Sequence, residues 1–169
     1  VSVDISCFGV DSHHQLSDDR YFLFYNQKRS PEGAIVLLGA QDGYHERFQI
    51  DLSRLPATIH KLIFTATLDG AGSLSRLGAC CWVVRGGGAV VEFDFSGADF
   101  STERAIMIGE LYMKDEWRIA AIGQGFSGGL SALPKHFVGD VIASSPAPPP
   151  SRPPAPPLRR AARGARRHD

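Results

Sequence analysis

Apolar positions along this chain fall into short runs rich in β-branched and aromatic residues, not into helical spacing. The runs at 1–8, 20–26, 34–38, 46–52, 59–68, 78–84, 89–95, 103–114 and 116–122 each predict a strand. Alternation is clearest after Glu46, where Phe48, Ile50 and Leu52 share one face and Gln49 and Asp51 the other. Turn signals separate the runs. Ser30-Pro31-Glu32-Gly33 fits a type I turn, with Pro pre-setting φ at the second position and Gly at the fourth. Asp69-Gly70-Ala71-Gly72 and Gly86-Gly87-Gly88 allow positive φ, and Lys114-Asp115 closes a hairpin between the last two runs. Helical periodicity is weak: only 128–137 suggests a short or broken helix, interrupted by Pro134. The pattern predicts an all-β fold, a two-sheet antiparallel β-sandwich with one short C-terminal helix.

Composition divides the chain. Residues 1–143 read as one domain, whereas 144–169 hold eight of the 11 prolines and cannot bury enough surface to offset chain entropy. That stretch is expected to be a disordered or polyproline II tail, a Pro/Arg-rich linker that tethers a further domain or a partner. Residues 154–159 also match the PxxPx(basic) ligand pattern. The formal net charge of zero conceals an acidic body, with 12 Lys/Arg against 17 Asp/Glu through Ser145, and a tail with six Arg against one Asp. Six loose arginines point to no specific nucleic-acid partner. No run of apolar residues is long enough to span a membrane, and no leader opens the sequence. Three cysteines make no disulfide framework, so Cys7, Cys80 and Cys81 are expected as reduced, inert core thiols of a cytoplasmic protein.

Candidate chemistry is sparse. Residues 123–128, GQGFSG, satisfy G-x-G-x-x-G, but a dinucleotide site needs a βαβ unit and an acid about 20 residues further on, whereas here the preceding strand reads as half of a hairpin and the chain soon runs into the proline-rich stretch. His13 and His14 are adjacent, without metal-ligand spacing, and read as a surface loop. Nothing names a catalytic residue, so the expectation is a non-enzymatic protein. Hard cations need several converging oxygens, and Asp4, Asp11, Asp18, Asp19, Asp42, Glu46 and Glu110 are the loop and strand-end acids available. Simple alternation puts Glu110 on the face of Ile106 and Ile108, where it is expected to reach solvent at a strand end.

Several stretches taken together resemble the TerD-domain family of tellurium-resistance and stress-response proteins. They are SVDISCF, FYNQKRSPEGAI, QIDLSRLP, FSTERAIMIGELY, EWRIAAIGQGFSGGLSAL and KHF, in the family's order over residues 1–141. GGLSAL followed by KHF is most similar to the TerA-like branch. The resemblance implies a β-sandwich with a further strand region ahead of the first acidic motif, and a sandwich edge left open without that strand or a partner's. It implies a binding or scaffolding domain in a bacterial tellurite-resistance and general stress-response system, with other proteins of that system as partners. It also implies calcium bound by acidic loops, so that the alternative function is a calcium sensor whose loops order on binding. Onto this chain the implied calcium set carries as Asp4, Asn26, Asp42, Glu46 and Glu110. One acid of the family's first motif is missing beside Asp4, and Tyr44 and His45 stand where paired acids are usual. Asn26 and Gln27 either add neutral ligands beside Asp4 and Glu46 or satisfy turn backbone.

Overall fold

A computed structural model describes residues 1–127, and all nine predicted strands are present in it. They are β1 (Ser2–Val10), β2 (Phe22–Leu23), β3 (Ile35–Leu37), β4 (Phe48–Ile50), β5 (Lys61–Asp69), β6 (Cys80–Gly86), β7 (Ala89–Phe95), β8 (Ala105–Lys114) and β9 (Glu116–Phe126). Short 3-10 turns at Asp19–Tyr21, Leu52–Arg54, Leu74–Arg76 and Gly97–Asp99 join them. The expected helix at 128–137, the domain boundary at 143 and the tail at 144–169 lie outside the described residues.

Every strand pairing is antiparallel. The larger sheet has the order β2-β1-β5-β8-β9, and β3-β4 and β6-β7 form two separate two-stranded sheets. The second layer is therefore split, where the sequence predicts a single sheet. Turn chemistry explains the joints. Gly87 and Gly88, at φ +54° and +78°, form the two-residue loop between the β6 and β7 partners Gly86 and Ala89. Asp115, at φ +64°, turns between Lys114 and Glu116.

The larger sheet has two differently covered faces. On the inner face, Cys7, Leu23, Leu62, Phe64 and Leu111 pack with Ile35 of β3, and Phe48, Ile50, Trp82 and Val84 of the two hairpins join them. Near the far end of the same face, Ala66, Leu68 and Ile106 pack against Leu74 and Phe100. The outer face carries Phe8, Val10, Ile63, Ala105 and Met107, all buried. Among these outer side chains lie three buried hydroxyls: Ser6 and Thr65 hydrogen-bond each other across β1 and β5, while the Thr67 hydroxyl has no partner among the described residues.

One irregularity re-aims the end of β8. Pairing with β5 runs Thr65 to Met107 and then Phe64 to Gly109, so Ile108 is an extra residue. Alternation beyond Ile108 is inverted. Glu110 therefore sits opposite Ile63 on the outer face, not beside Ile106 and Ile108 as simple alternation predicts. It does not simply reach solvent either: its carboxylate pairs with Lys61 Nζ at 3.1 Å, and both side chains are mostly buried.

Candidate functional site

Between the two hairpins the second layer opens into a cleft of about 620 Å³. Its floor is the inner face of the larger sheet, with Ile5, Phe64, Ala66 and Leu111. One wall is β4, with Phe48 and Ile50, and the other is β6, with Trp82 and Val84. Aromatic rings run from wall to floor to wall. Phe48 meets Phe64 edge-on at 5.6 Å, Phe64 meets Trp82 at 5.4 Å, and Trp82 stacks on Phe93 at 5.4 Å. Gly109 makes room for this, because a Cβ there would overlap the Trp82 ring and crowd Ala120 O. Trp117 lines the cleft as well, so both tryptophans of the chain border it.

The edges of the walls are open backbone. Leu38 donates to Arg47 O, and Asp51 donates to Ala34 O, so the odd positions of β4 face β3. Alternation then turns the N–H and C=O of Phe48 and Ile50 away from β3, toward the cleft. In the β6-β7 hairpin the pair flanking the two-residue loop, Gly86 and Ala89, is hydrogen-bonded. The backbone groups of Cys81, Val83 and Arg85 then point out of the free edge of β6, and all three residues line the cleft. Arg47 and Arg85 stand on the outer side of the two walls. Arg47 pairs with Asp42 at 2.6 Å, and Arg85 donates to Tyr44 Oη at 2.9 Å while lying over the ring at 5.6 Å. His45 Nε2 meets Val3 O at 2.8 Å, which fixes the loop before β4 against β1.

The five implied calcium ligands do not converge. Asp4 lies opposite Thr67 and Glu110 opposite Ile63, both on the outer face. Four residues of β5 separate those positions, roughly 13 Å along the strand. Asp42 and Glu46 lie in the loop before β4, where Arg47 takes the Asp42 carboxylate and donates its N–H to Glu46 Oε1. Asn26 is exposed at the tip of a tight turn in which Phe24 and Gln27 exchange backbone hydrogen bonds. Among the described residues no three His, Cys, Asp or Glu side chains are grouped as a metal ion requires. The donor set thus does not fit one calcium ion.

The remaining polar candidates serve the chain itself. Gln27 Nε2 donates to Asp19 O at 2.7 Å and to Phe22 O at 2.8 Å, which satisfies turn backbone. Asp11 accepts from the His13 and Gln15 N–H groups, and Asp18 from Arg20. Gly123 to Phe126 lie within β9, and Gln124 to Phe126 pair with β8, so GQGF is strand and not a phosphate loop. Cys7 is buried, and burial pushes its thiol far above the ordinary range. Cys81 is exposed, contrary to the core placement expected for it. Its thiol is nevertheless pushed up to about 11, first by desolvation and then by Asp94 directly across the hairpin.

Sequence reasoning did not find the cleft. Its walls are in the predicted strands, and the alternation of Trp82 and Val84 marks an inward face, but no local signal says that two hairpins stand apart.

The profile of the TerD domain matches residues 1–137. Over 130 residues the chain is 36% identical to "Tellurium resistance protein TerA" of Alcaligenes sp., with 75% of this chain and 37% of that protein covered. It is 33% identical over 148 residues to "General stress protein 16U" of Bacillus subtilis (strain 168), covering 80% and 76%. Among solved structures, a homologue of telluride resistance protein (TerD) from Streptomyces coelicolor A3(2) has a TM-score of 0.56 at 16% identity. That likeness covers 78% of this chain and 83% of that one, and it speaks for the fold alone.

Proposed function

The chain belongs to the TerD domain family, and on that premise we propose that it is a non-enzymatic binding domain of a tellurite-resistance and general stress-response system. The observation that carries this reading is the cleft between the hairpins: apolar, aromatic on three sides and open at the backbone edges of both walls. Its partners are proteins of the same system. The three free thiols support a reducing, cytoplasmic setting. No helix among the described residues is long and apolar enough to cross a membrane.

Filling the cleft tests the reading. In cells that depend on this chain for tellurite tolerance, Val84→Trp should abolish tolerance while circular dichroism shows a folded protein. Full tolerance with the cleft filled would remove the cleft from the function. Turnover of a substrate that a single side-chain substitution abolishes would overturn the non-enzymatic part.

A further inference from the structure

We infer that the outer face of the larger sheet is the docking surface of residues 128–137 of this same chain, which close it as a third layer. The inference is independent of the cleft, which opens on the opposite face.

The first observation is burial without a roof. Phe8, Val10 and Ala105 are fully buried, and Ile63 and Met107 nearly so, yet both hairpins pack on the inner face. Of the described apolar residues packed against the outer cluster, Phe22, Ile122 and Phe126 belong to the sheet itself, and Leu16 alone comes from a loop. Side chains standing on one sheet flank one another and do not roof it, so an apolar face of this kind takes a further layer. The second observation is where the chain goes. β9 ends at Phe126, which pairs with Ala105 and packs on the outer cluster. Residues 128–137, GGLSALPKHF, therefore follow directly from the border of that face. Two glycines come first and suit a reversal of direction. Leu130, Leu133 and Phe137 follow at i, i+3 and i+7, the spacing of one apolar stripe, with Ser131, Lys135 and His136 between them.

Reach decides whether the stripe can cover the face. Three strand spacings separate β9 from β1, roughly 14 Å. Phe8 faces Ile63, and Thr67, four residues further along β5, faces Ala105 in the row where the chain leaves β9. That adds roughly 13 Å along the strands, so Phe126 to Phe8 is roughly 19 Å on the diagonal. Residues 127–129 extended and 130–137 at helical rise span about 22 Å. The segment is just long enough to bring Phe137 onto Phe8 and Val10, with Leu130 and Leu133 over the residues between.

The test uses the whole chain, residues 1–169. Nuclear Overhauser effects are expected between the Phe137 ring and the methyl groups of Val10 and Ile63, with none from that ring to Ile35 on the inner face. Peroxide gives a second readout through the two methionines of the chain. Met107 is buried in the outer cluster, whereas Met113 is 41% exposed, so Met113 should oxidise first. Leu133→Asp should raise the Met107 rate at least tenfold and leave Met113 unchanged, and Ala155→Asp, beyond the segment, should change neither. An unchanged Met107 rate in a folded Leu133→Asp variant overturns the inference. Where that variant unfolds and both methionines accelerate, the wild-type Phe137 contacts decide alone, and their absence overturns it. Overhauser effects that arise only between differently labelled copies assign the cover to a second copy and also overturn it.

Discussion

At the scale of single residues, the turn at 30–33 shows how few atoms hold a loop. Gly33 donates to Ser30 O at 2.9 Å, and the buried Ser30 Oγ accepts from Ile35 N–H and donates to Glu32. Tyr21 Oη donates to the other Glu32 oxygen at 2.6 Å, tying the turn to the 3-10 turn before β2. Partial burial pushes the Glu32 carboxyl up, but the hydrogen bonds from Tyr21, Ser30 and the backbone outweigh it, and its net value lies below the ordinary 4.5. A carboxyl depressed in the folded state stabilises fully above its unfolded value, and that stabilisation is lost as pH falls through the folded value. Glu32→Gln should therefore cost about 1–2 kcal/mol at neutral pH. Urea titrations should show the gap between wild type and variant closing as pH drops below 4.5. Thr67 gives the opposite sign. Its buried hydroxyl has no partner among the described residues, so Thr67→Val should raise stability by about 1 kcal/mol in the same measurement. The type I turn was legible because Pro and Gly carry their own backbone constraints. The use of Gln27 for turn backbone is not legible in the same way, because an amide side chain suits either a cation or a carbonyl.

At the scale of elements, all nine strands could be read from apolar runs, because strand existence is a local property. The bulge at Ile108 was not legible. It depends on how β5 and β9 align with β8, and alternation within one strand contains no record of its neighbours. Its effect is to place Glu110 on the outer face with Lys61. Removing one partner leaves a mostly buried charge, so Lys61→Met alone should cost about 1–3 kcal/mol, and the double variant with Glu110→Leu should lose less than either single change. A double-mutant cycle by thermal or urea unfolding reads this directly. Gly109, just past the bulge, lies under Trp82. Gly109→Ala should destabilise by about 1–3 kcal/mol and shift the emission of Trp82, since the ring must leave its place on the sheet.

At the scale of the whole molecule, antiparallel all-β architecture followed from the sequence, while the division of the second layer into two hairpins did not. Whether two hairpins meet or stand apart is decided by what lies between them, and strand patterns are silent on that. The implied calcium set fails at the same scale: each residue has suitable chemistry, but the sheet holds Asp4 and Glu110 roughly 13 Å apart along the strand direction. Calcium titrated by calorimetry should thus give no heat that Asp4→Asn and Glu110→Gln each abolish. The strand order carries one more consequence, in time. Ser6 and Thr65, neighbours across β1 and β5, are 59 residues apart in the chain. At roughly 5–20 residues per second of synthesis, β1 waits roughly 3–12 s for the strand that pairs its long edge. The tight hairpins β6-β7 and β8-β9, by contrast, can close within microseconds of emerging. β1 thus waits longer for its partner than any other strand of these pairings, so a nascent chain of this fold presents Cys7, Phe8 and Val10 to the ribosome's surroundings long enough for a chaperone to hold them.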